Sequence, residues 1–299
     1  MRFKALAAVA LVAIAATGVL AQNQPNSKVV TVFAKLVDGT GKPAETLTPD
    51  DIKITEDNSP AAISGIQVVD WPLKVQLLLD NGVGFGSENL TILRNGARGF
   101  IEKLPEGTEL TIITTAPQPR FLVRATPNKV LQQQGVDRLT LDTGTGRFIE
   151  SLAEATQRIE RDKVDHFPVI VSVATTAGDT NVMERHVTAA VRRMEQKPIV
   201  LHVAMLSAGT GTGGANQTEV GIQLTKFTGG RYEPLSAAQR IASLLPELAE
   251  QIGQSYGGPG KGLFKITIER PKSGPLGQLS VTSAGALRPV ALSMDGRIR

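Results

Sequence analysis

The chain contains no cysteine, only three histidines, and few aromatic residues: one tryptophan, two tyrosines and nine phenylalanines among 299 residues. Without thiols there is no disulfide, no thiolate nucleophile and no cysteine-based zinc site, so the fold must rest on its apolar core. The scarcity of imidazole narrows the chemistry further. No His-Glu-x-x-His pair offers a metalloprotease site, and no Gly-x-Ser-x-Gly elbow presents a serine nucleophile. His166 precedes a strand, His186 sits among charged residues on a helix, and His202 lies inside an apolar strand, where a hydrogen-bonded core histidine is the expected role. Strong charge of either sign is missing too, and Arg192-Arg193 is the only adjacent basic pair, so nucleic acid is not an expected partner.

What is present is a globular composition, 41% apolar, behind a leader-like start. Arg2 and Lys4 precede the uncharged stretch Ala5 to Leu20, and Val19-Leu20-Ala21 supplies small side chains for cleavage before Gln22. This pattern predicts a signal peptide over residues 1–21 and a secreted or periplasmic protein, cleaved near Ala21. The stretch is alanine-rich and falls short of the ~20 strongly apolar residues of a spanning helix, and no comparable run follows, so stable membrane insertion is not expected. Removing Arg2 and Lys4 leaves 30 basic against 28 acidic residues.

Three segments follow from the rhythm of apolar and turn residues. From 28 to 70, short β-prone runs alternate with turn clusters: Val29 to Leu36, a capped turn at Leu47-Thr48-Pro49-Asp50-Asp51, Ile52 to Thr55, then Asp57-Asn58-Ser59-Pro60. From 71 to 256 the pattern becomes strand, loop, helix. Strands are expected at Leu73 to Asp80, Glu109 to Thr114, Pro168 to Ala174, Ile199 to Leu206 and Arg231 to Glu233. Helices are expected at Glu88 to Lys103, Phe148 to Ile159, Val182 to Glu195, Glu219 to Phe227 and Ala237 to Gln254, the last interrupted by Pro246. Phe121-Leu122-Val123 follows too closely on its predecessor for a crossover helix and is expected antiparallel at the sheet edge. Beyond Gly257-Gly258-Pro259-Gly260, strands at Leu263 to Glu269 and Gln278 to Thr282, within 263–287, are expected to pair with the N-terminal segment in one small β layer. The fold class is thus α/β, a doubly wound, mostly parallel sheet with one antiparallel edge strand, plus a small β unit from the two chain ends. Trp71, before Pro72, is expected to pack at the domain junction.

The stretch Leu77-Leu78-Leu79-Asp80 runs into Asn81-Gly82-Val83-Gly84-Phe85-Gly86, where a ligand of an open α/β sheet would gather. Together with Leu47-Thr48-Pro49-Asp50-Asp51-Ile52, Thr55-Glu56-Asp57 and Thr228-Gly229-Gly230-Arg231-Tyr232, it resembles the von Willebrand factor A-related domain of secreted bacterial proteins, best known from acidobacteria. The resemblance implies a helix-flanked parallel sheet, protein binding rather than catalysis, and a cation-dependent adhesion site in intact members. Carried over residue by residue, Asp80 matches that site while Gly82 and Gly84 replace its two serines. Gly146 falls at its threonine, with Thr145 one residue out of register, and Thr175 falls at its later aspartate. Magnesium demands about six oxygens in near-octahedral order, so a metal-free, degenerate site is expected, with no cofactor and no catalytic residues. A site rebuilt from Asp80, Thr145 and Asp179 is the alternative at this position. Asp80, Asn81, Thr145, Thr175 and Asp179 are expected to form the face that meets an unidentified protein partner. The rival is a secreted hydrolase or cofactor enzyme using the glycine-rich loops 82–86 or 209–214; the second has dinucleotide-turn spacing, the first does not.

Overall fold

The computed structural model describes residues 14–15, 27–177, 184–208, 215–256 and 260–297. In chain order the first elements are β1 (Ile14–Ala15), β2 (Val29–Val37), β3 (Ile52–Glu56), β4 (Ser59–Pro60), β5 (Ala62–Val68), β6 (Leu73–Leu79), α1 (Leu90–Lys103), β7 (Glu109–Thr114), β8 (Arg120–Thr126) and α2 (Lys129–Asp137). There follow α3 (Phe148–Arg161), β9 (Phe167–Thr175), α4 (Glu184–Gln196), β10 (Val200–Leu206), α5 (Ala215–Thr228), β11 (Tyr232–Leu235), α6 (Ile241–Tyr256), β12 (Leu263–Glu269), β13 (Leu279–Ser283) and β14 (Arg288–Ser293). Two compact units result, Trp71–Pro259 and the two end segments Met1–Asp70 with Gly260–Arg299. The Gly257-Gly258-Pro259 part of the expected break lies outside the described residues, as does most of the expected leader; its Ile14–Ala15 pairs antiparallel with β13.

In the α/β unit the strand order is β11-β10-β9-β6-β7-β8, parallel throughout except for the antiparallel edge strand β8. All nine residues of β9 are buried, which is why its sequence shows no alternation: both faces are covered. One face is packed by α3, α4 and α5. The apolar stripe Phe148, Ile149, Leu152, Ala155 and Ile159 recurs at helical spacing and meets Leu78, Ile170, Ala174 and Leu201 from the strands. Elsewhere α1 packs against α6. Pro246 does not interrupt α6, contrary to expectation; buried Leu244, Leu245, Leu248 and Ile252 hold the helix through it. Its ring seats on Gly99 of α1, where an added β-carbon would stand 2.7 Å from Pro246 Cγ. The sequence pattern also passed over α2, whose amphipathic stripe is weak. Its start is fixed by Asn128, whose Oδ1 accepts from the Val130 and Leu131 N–H groups at 2.9 and 3.2 Å. Trp71 packs against Phe167 with the two rings tilted by 47°, and Phe167 in turn meets Tyr256.

The β unit has two sheets where one layer was expected: β1-β13-β3-β4 and β14-β2-β12-β5. Val30, Val32, Ala34 and Leu36 of β2, with Phe264, Ile266 and Ile268 of β12, face Ile52, Ile54, Leu279 and Val281 across a shared core. Two sheets follow from this alternation, because each layer has one apolar face and needs another to cover it. The sequence pattern did not resolve β5 and β14, both half-exposed edge strands. Asp57 and Asn58, at φ 47° and 66°, make the two-residue turn between β3 and β4.

One ion pair is fully buried in this unit. Arg270, just past β12, donates from Nη2 and Nε to the two oxygens of Glu56 at 2.6 and 2.9 Å, and also to the carbonyls of Ser27, Gly274 and Pro275. Both side chains have no solvent exposure. Glu56→Gln leaves an uncompensated guanidinium inside the unit and is expected to cost about 3–5 kcal/mol in urea denaturation. The Arg270 hydrogen bonds hold the Glu56 carboxyl below its ordinary range, so the pair's stabilisation is present above the unfolded value and lost as pH falls through the depressed one. The gap between wild type and Glu56→Gln is therefore expected to narrow on acidification; a gap independent of pH refutes this assignment.

Candidate functional site

The carboxyl ends of β6, β7 and β9 converge on Asp80, which follows the last residue of β6 and is 2% exposed. Its carboxylate is satisfied entirely from within. Oδ1 accepts the Gly82 N–H at 2.9 Å, while Oδ2 accepts the Thr175 N–H at 3.1 Å and the Thr175 hydroxyl at 2.7 Å. No ion pair to Asp80 occurs among the described residues. Burial therefore pushes its carboxyl above the usual range, opposed but not cancelled by those three bonds.

Asn81 clamps the surrounding loops together. Its Nδ2 donates to the Thr140 carbonyl at 2.9 Å, its Oδ1 accepts the Ala116 N–H at 3.1 Å, and its carbonyl accepts the Asp142 N–H at 2.7 Å. The Val83 N–H reaches the Gly144 carbonyl at 3.0 Å, and the Arg147 N–H reaches that of Thr115 at 3.1 Å. The loops are drawn so close that their glycines are steric necessities. A β-carbon at Gly82 would lie 2.6 Å from the Gly144 carbonyl oxygen and 2.8 Å from the Gly146 nitrogen; one at Gly84 would lie 2.7 Å from Ala177 Cβ and 2.9 Å from Thr175 Oγ1. At Gly146 it would collide with the Asp80 carboxylate itself.

Of the residues expected to meet a partner, Asp80, Asn81 and Thr175 are 2%, 5% and 1% exposed and form the floor of the site, so their side chains do not present a docking face. Thr145 is exposed on the rim, and Asp179 lies outside the described residues. Two features went unnoticed in the sequence: Val83, 57% exposed, and a cleft of about 490 Å³ between residues 83–89, 206–208 and 236–239. Three separate chain segments build that cleft, so no local motif announces it.

The oxygen set here does not fit a divalent cation. The positions that would supply hydroxyls are glycines with no room for a side chain, and both carboxylate oxygens of Asp80 are already engaged. At 82–86 three of the five backbone N–H groups that a phosphate cradle would use are already spent. The Gly82, Val83 and Phe85 N–H groups donate to Asp80, Gly144 and Gly82, leaving them unavailable to an anion. The 209–214 loop lies outside the described residues. Two of the histidines are structural: His166 Nδ1 lies 2.6 Å from the Val164 carbonyl, and His202, its pKa lowered to about 4 by burial and by Arg231, accepts the Arg231 N–H while neutral.

Restoring hydroxyls at this floor is expected to overpack it. Gly82→Ser should lose about 1–3 kcal/mol and gain no stabilisation from Mg²⁺ in a thermal-shift titration; a Mg²⁺-dependent rise in Tm refutes the steric argument. Asp80→Asn probes the charge. Because the folded carboxyl is raised, the stability it contributes when protonated is lost as pH climbs from the ordinary carboxylate value through the raised one, so the variant should gain on wild type across that rise. Parallel stability profiles would contradict this.

No protein-family model matches the chain, and no curated protein is significantly similar to it. Solved structures do match. A von Willebrand factor type A protein from Catenulispora acidiphila aligns with 91% of this chain and 75% of its own, at 8% identity and a TM-score of 0.50. The pilus adhesin SpaC from Lactobacillus rhamnosus GG aligns with 82% of this chain and 44% of its own, at 11% identity and a TM-score of 0.50. These likenesses, with the mostly parallel six-stranded sheet, establish a von Willebrand factor A-like α/β fold.

Proposed function

We propose that this chain is a secreted or periplasmic, non-enzymatic binding or scaffolding protein whose strand-end loops engage another protein without a divalent cation. The observation that carries the reading is the closed floor: a buried carboxylate saturated by Gly82 and Thr175, overlaid by loops with no space for cation ligands. A floor of this kind fixes the loops above it, and pre-set loops bind with less ordering cost. Exposed Val83 beside the 490 Å³ cleft supplies an apolar anchor with a polar surround of Glu88, Asn89, Ser207 and Gln239. The adhesin among the structural neighbours favours the same class of role. The leader-like start favours export, and the motifs at 47–52, 77–80 and 228–232 favour kinship with the secreted acidobacterial branch of this fold. We assign Thr145, exposed on the rim, to the partner-binding face, and include Asp179 in it on its place in the sequence alone.

The test is capture of a partner from envelope and medium fractions of the producing cells, with and without EDTA, using wild type, Val83→Arg and, as a control on α2, Val130→Arg. Capture should survive EDTA, fall about tenfold or more in Val83→Arg and persist in Val130→Arg. Capture that vanishes in EDTA and returns with Mg²⁺ or Ca²⁺ overturns the proposal, as does capture indifferent to Val83→Arg.

A further inference from the structure

A second cavity lies at the other end of the sheet, beside the edge strand. The pairing of β8 with β7 is interrupted twice. Leu122 has no counterpart between the pairs Ile112–Val123 and Ile113–Phe121, and Arg124 and Ala125 both fall between Val123 and Thr126, where β7 advances by only Thr111. Bulges of this kind redirect side chains that regular alternation would send elsewhere. Val123 stays under α2, pressed against Gly135, while Phe121, Arg124 and Ala125 join Gln76, Thr111 and Arg158 around a cavity of about 320 Å³.

The donors around this cavity are not all used. Arg124 and Arg158 both stack on the Phe121 ring, 5.0 and 5.3 Å from its centroid, and the ring is 46% exposed. Arg158 donates from Nε to Gln76 at 3.0 Å and from Nη1 to Glu154 at 3.3 Å, but its buried Nη2 has no acceptor. Arg124 forms no ion pair among the described residues. Lys74, by contrast, is committed to Asp162 at 2.6 Å and Glu109 at 3.4 Å. Arg158 is itself paired with Glu154 at 3.3 Å and Lys74 with two carboxylates, so Arg124 is the lining cation without an ion pair among the described residues. The unpaired Arg124 guanidinium and the open Nη2 edge of Arg158 match a planar anionic group with two acceptor oxygens.

We propose that this cavity is a binding site for a carboxylate, separate from the strand-end loops and independent of how they function. The carboxylate is carried either by a small organic acid or by an acidic side chain of a protein segment lying along β8. The full chain is titrated at constant ionic strength with sodium propionate, with a hexaglutamate peptide and with inorganic phosphate, following backbone amide chemical shifts near Phe121 and Arg124. Saturable shifts with propionate alone identify a small-acid site; tighter saturation with hexaglutamate identifies a protein segment. In either case Arg124→Ala, on the exposed edge, should weaken binding about tenfold, Arg158→Lys should weaken it while keeping the charge, and Arg185→Ala on α4 should change nothing. No saturable shift with either carboxylate, equal affinity in Arg124→Ala, or phosphate binding as tightly as propionate overturns the proposal.

Discussion

A carboxylate removed from water has to be answered by something, and at the head of this sheet the answer is the protein backbone. Burying an ionised group without partners costs far more than a fold of this size can spare. Asp80 therefore imposes a demand on the loops around it: a donor at Gly82 and two at Thr175 must be held within hydrogen-bond distance. Holding them there draws the segments after β6, β7 and β9, and the one before α3, into mutual contact. Asn81 then ties three of these segments together through both ends of its amide. Glycine at 82, 84 and 146 is the consequence, because each of these backbones approaches its neighbour more closely than a β-carbon permits.

From that closure follows a division of labour along the strands. At their carboxyl ends Asp80, Asn81 and Thr175 are spent internally, and Val83 stands exposed beside a cleft with a polar surround. At their amino ends the reverse holds: the bulged edge of β8 leaves guanidinium donors over an exposed ring while the nearby lysine is already neutralised by two carboxylates. Unspent donors thus stand where the sequence carries no motif, while the polar floor beneath the motif-bearing loop is occupied by its own hydrogen bonds.

The sequence was most readable where a single period dominates. Leu73 to Leu79 and the fully buried β9 announce a parallel sheet through runs of branched and aliphatic residues, and the stripe on α3 announces a helix packed against it. The antiparallel edge at Phe121 was legible from the shortness of the connection before it. Illegible were elements held by contacts distant in sequence. Helix α2 depends on Gly135 nesting against Val123; α6 passes through Pro246 because Gly99 makes room for the ring; β5 and β14 are recognisable only beside the strands they pair with. The candidate site divides in the same way. The glycines at 82 and 84 can be read directly, but the burial of Asn81 and Thr175 cannot, since a polar residue in a loop looks the same whether it faces solvent or clamps its neighbours.

The glycines also bear on what kind of change separates this loop from a cation-binding one. If hydroxyls had simply been lost from an open site, the space they occupied would remain and Asp80 would face water, with a carboxyl near its ordinary range. Instead the space at Gly82 is taken by the backbone of residues 144–146, the space at Gly146 by Asp80 itself, and the carboxyl is raised by burial. The two arrangements exclude each other: six oxygens around an ion require the loops to stand apart, whereas three donors on one carboxylate require them to close. Asp80 is compatible with both, which is why its presence alone carries no information about a metal. The discriminating residues are Thr175, where a hydroxyl donates to Asp80 in the position that the family resemblance gives to a second carboxylate, and Gly146, whose missing side chain lets the loops close. Reopening the site would require both positions, and the loops that Asn81 ties together, to change in concert.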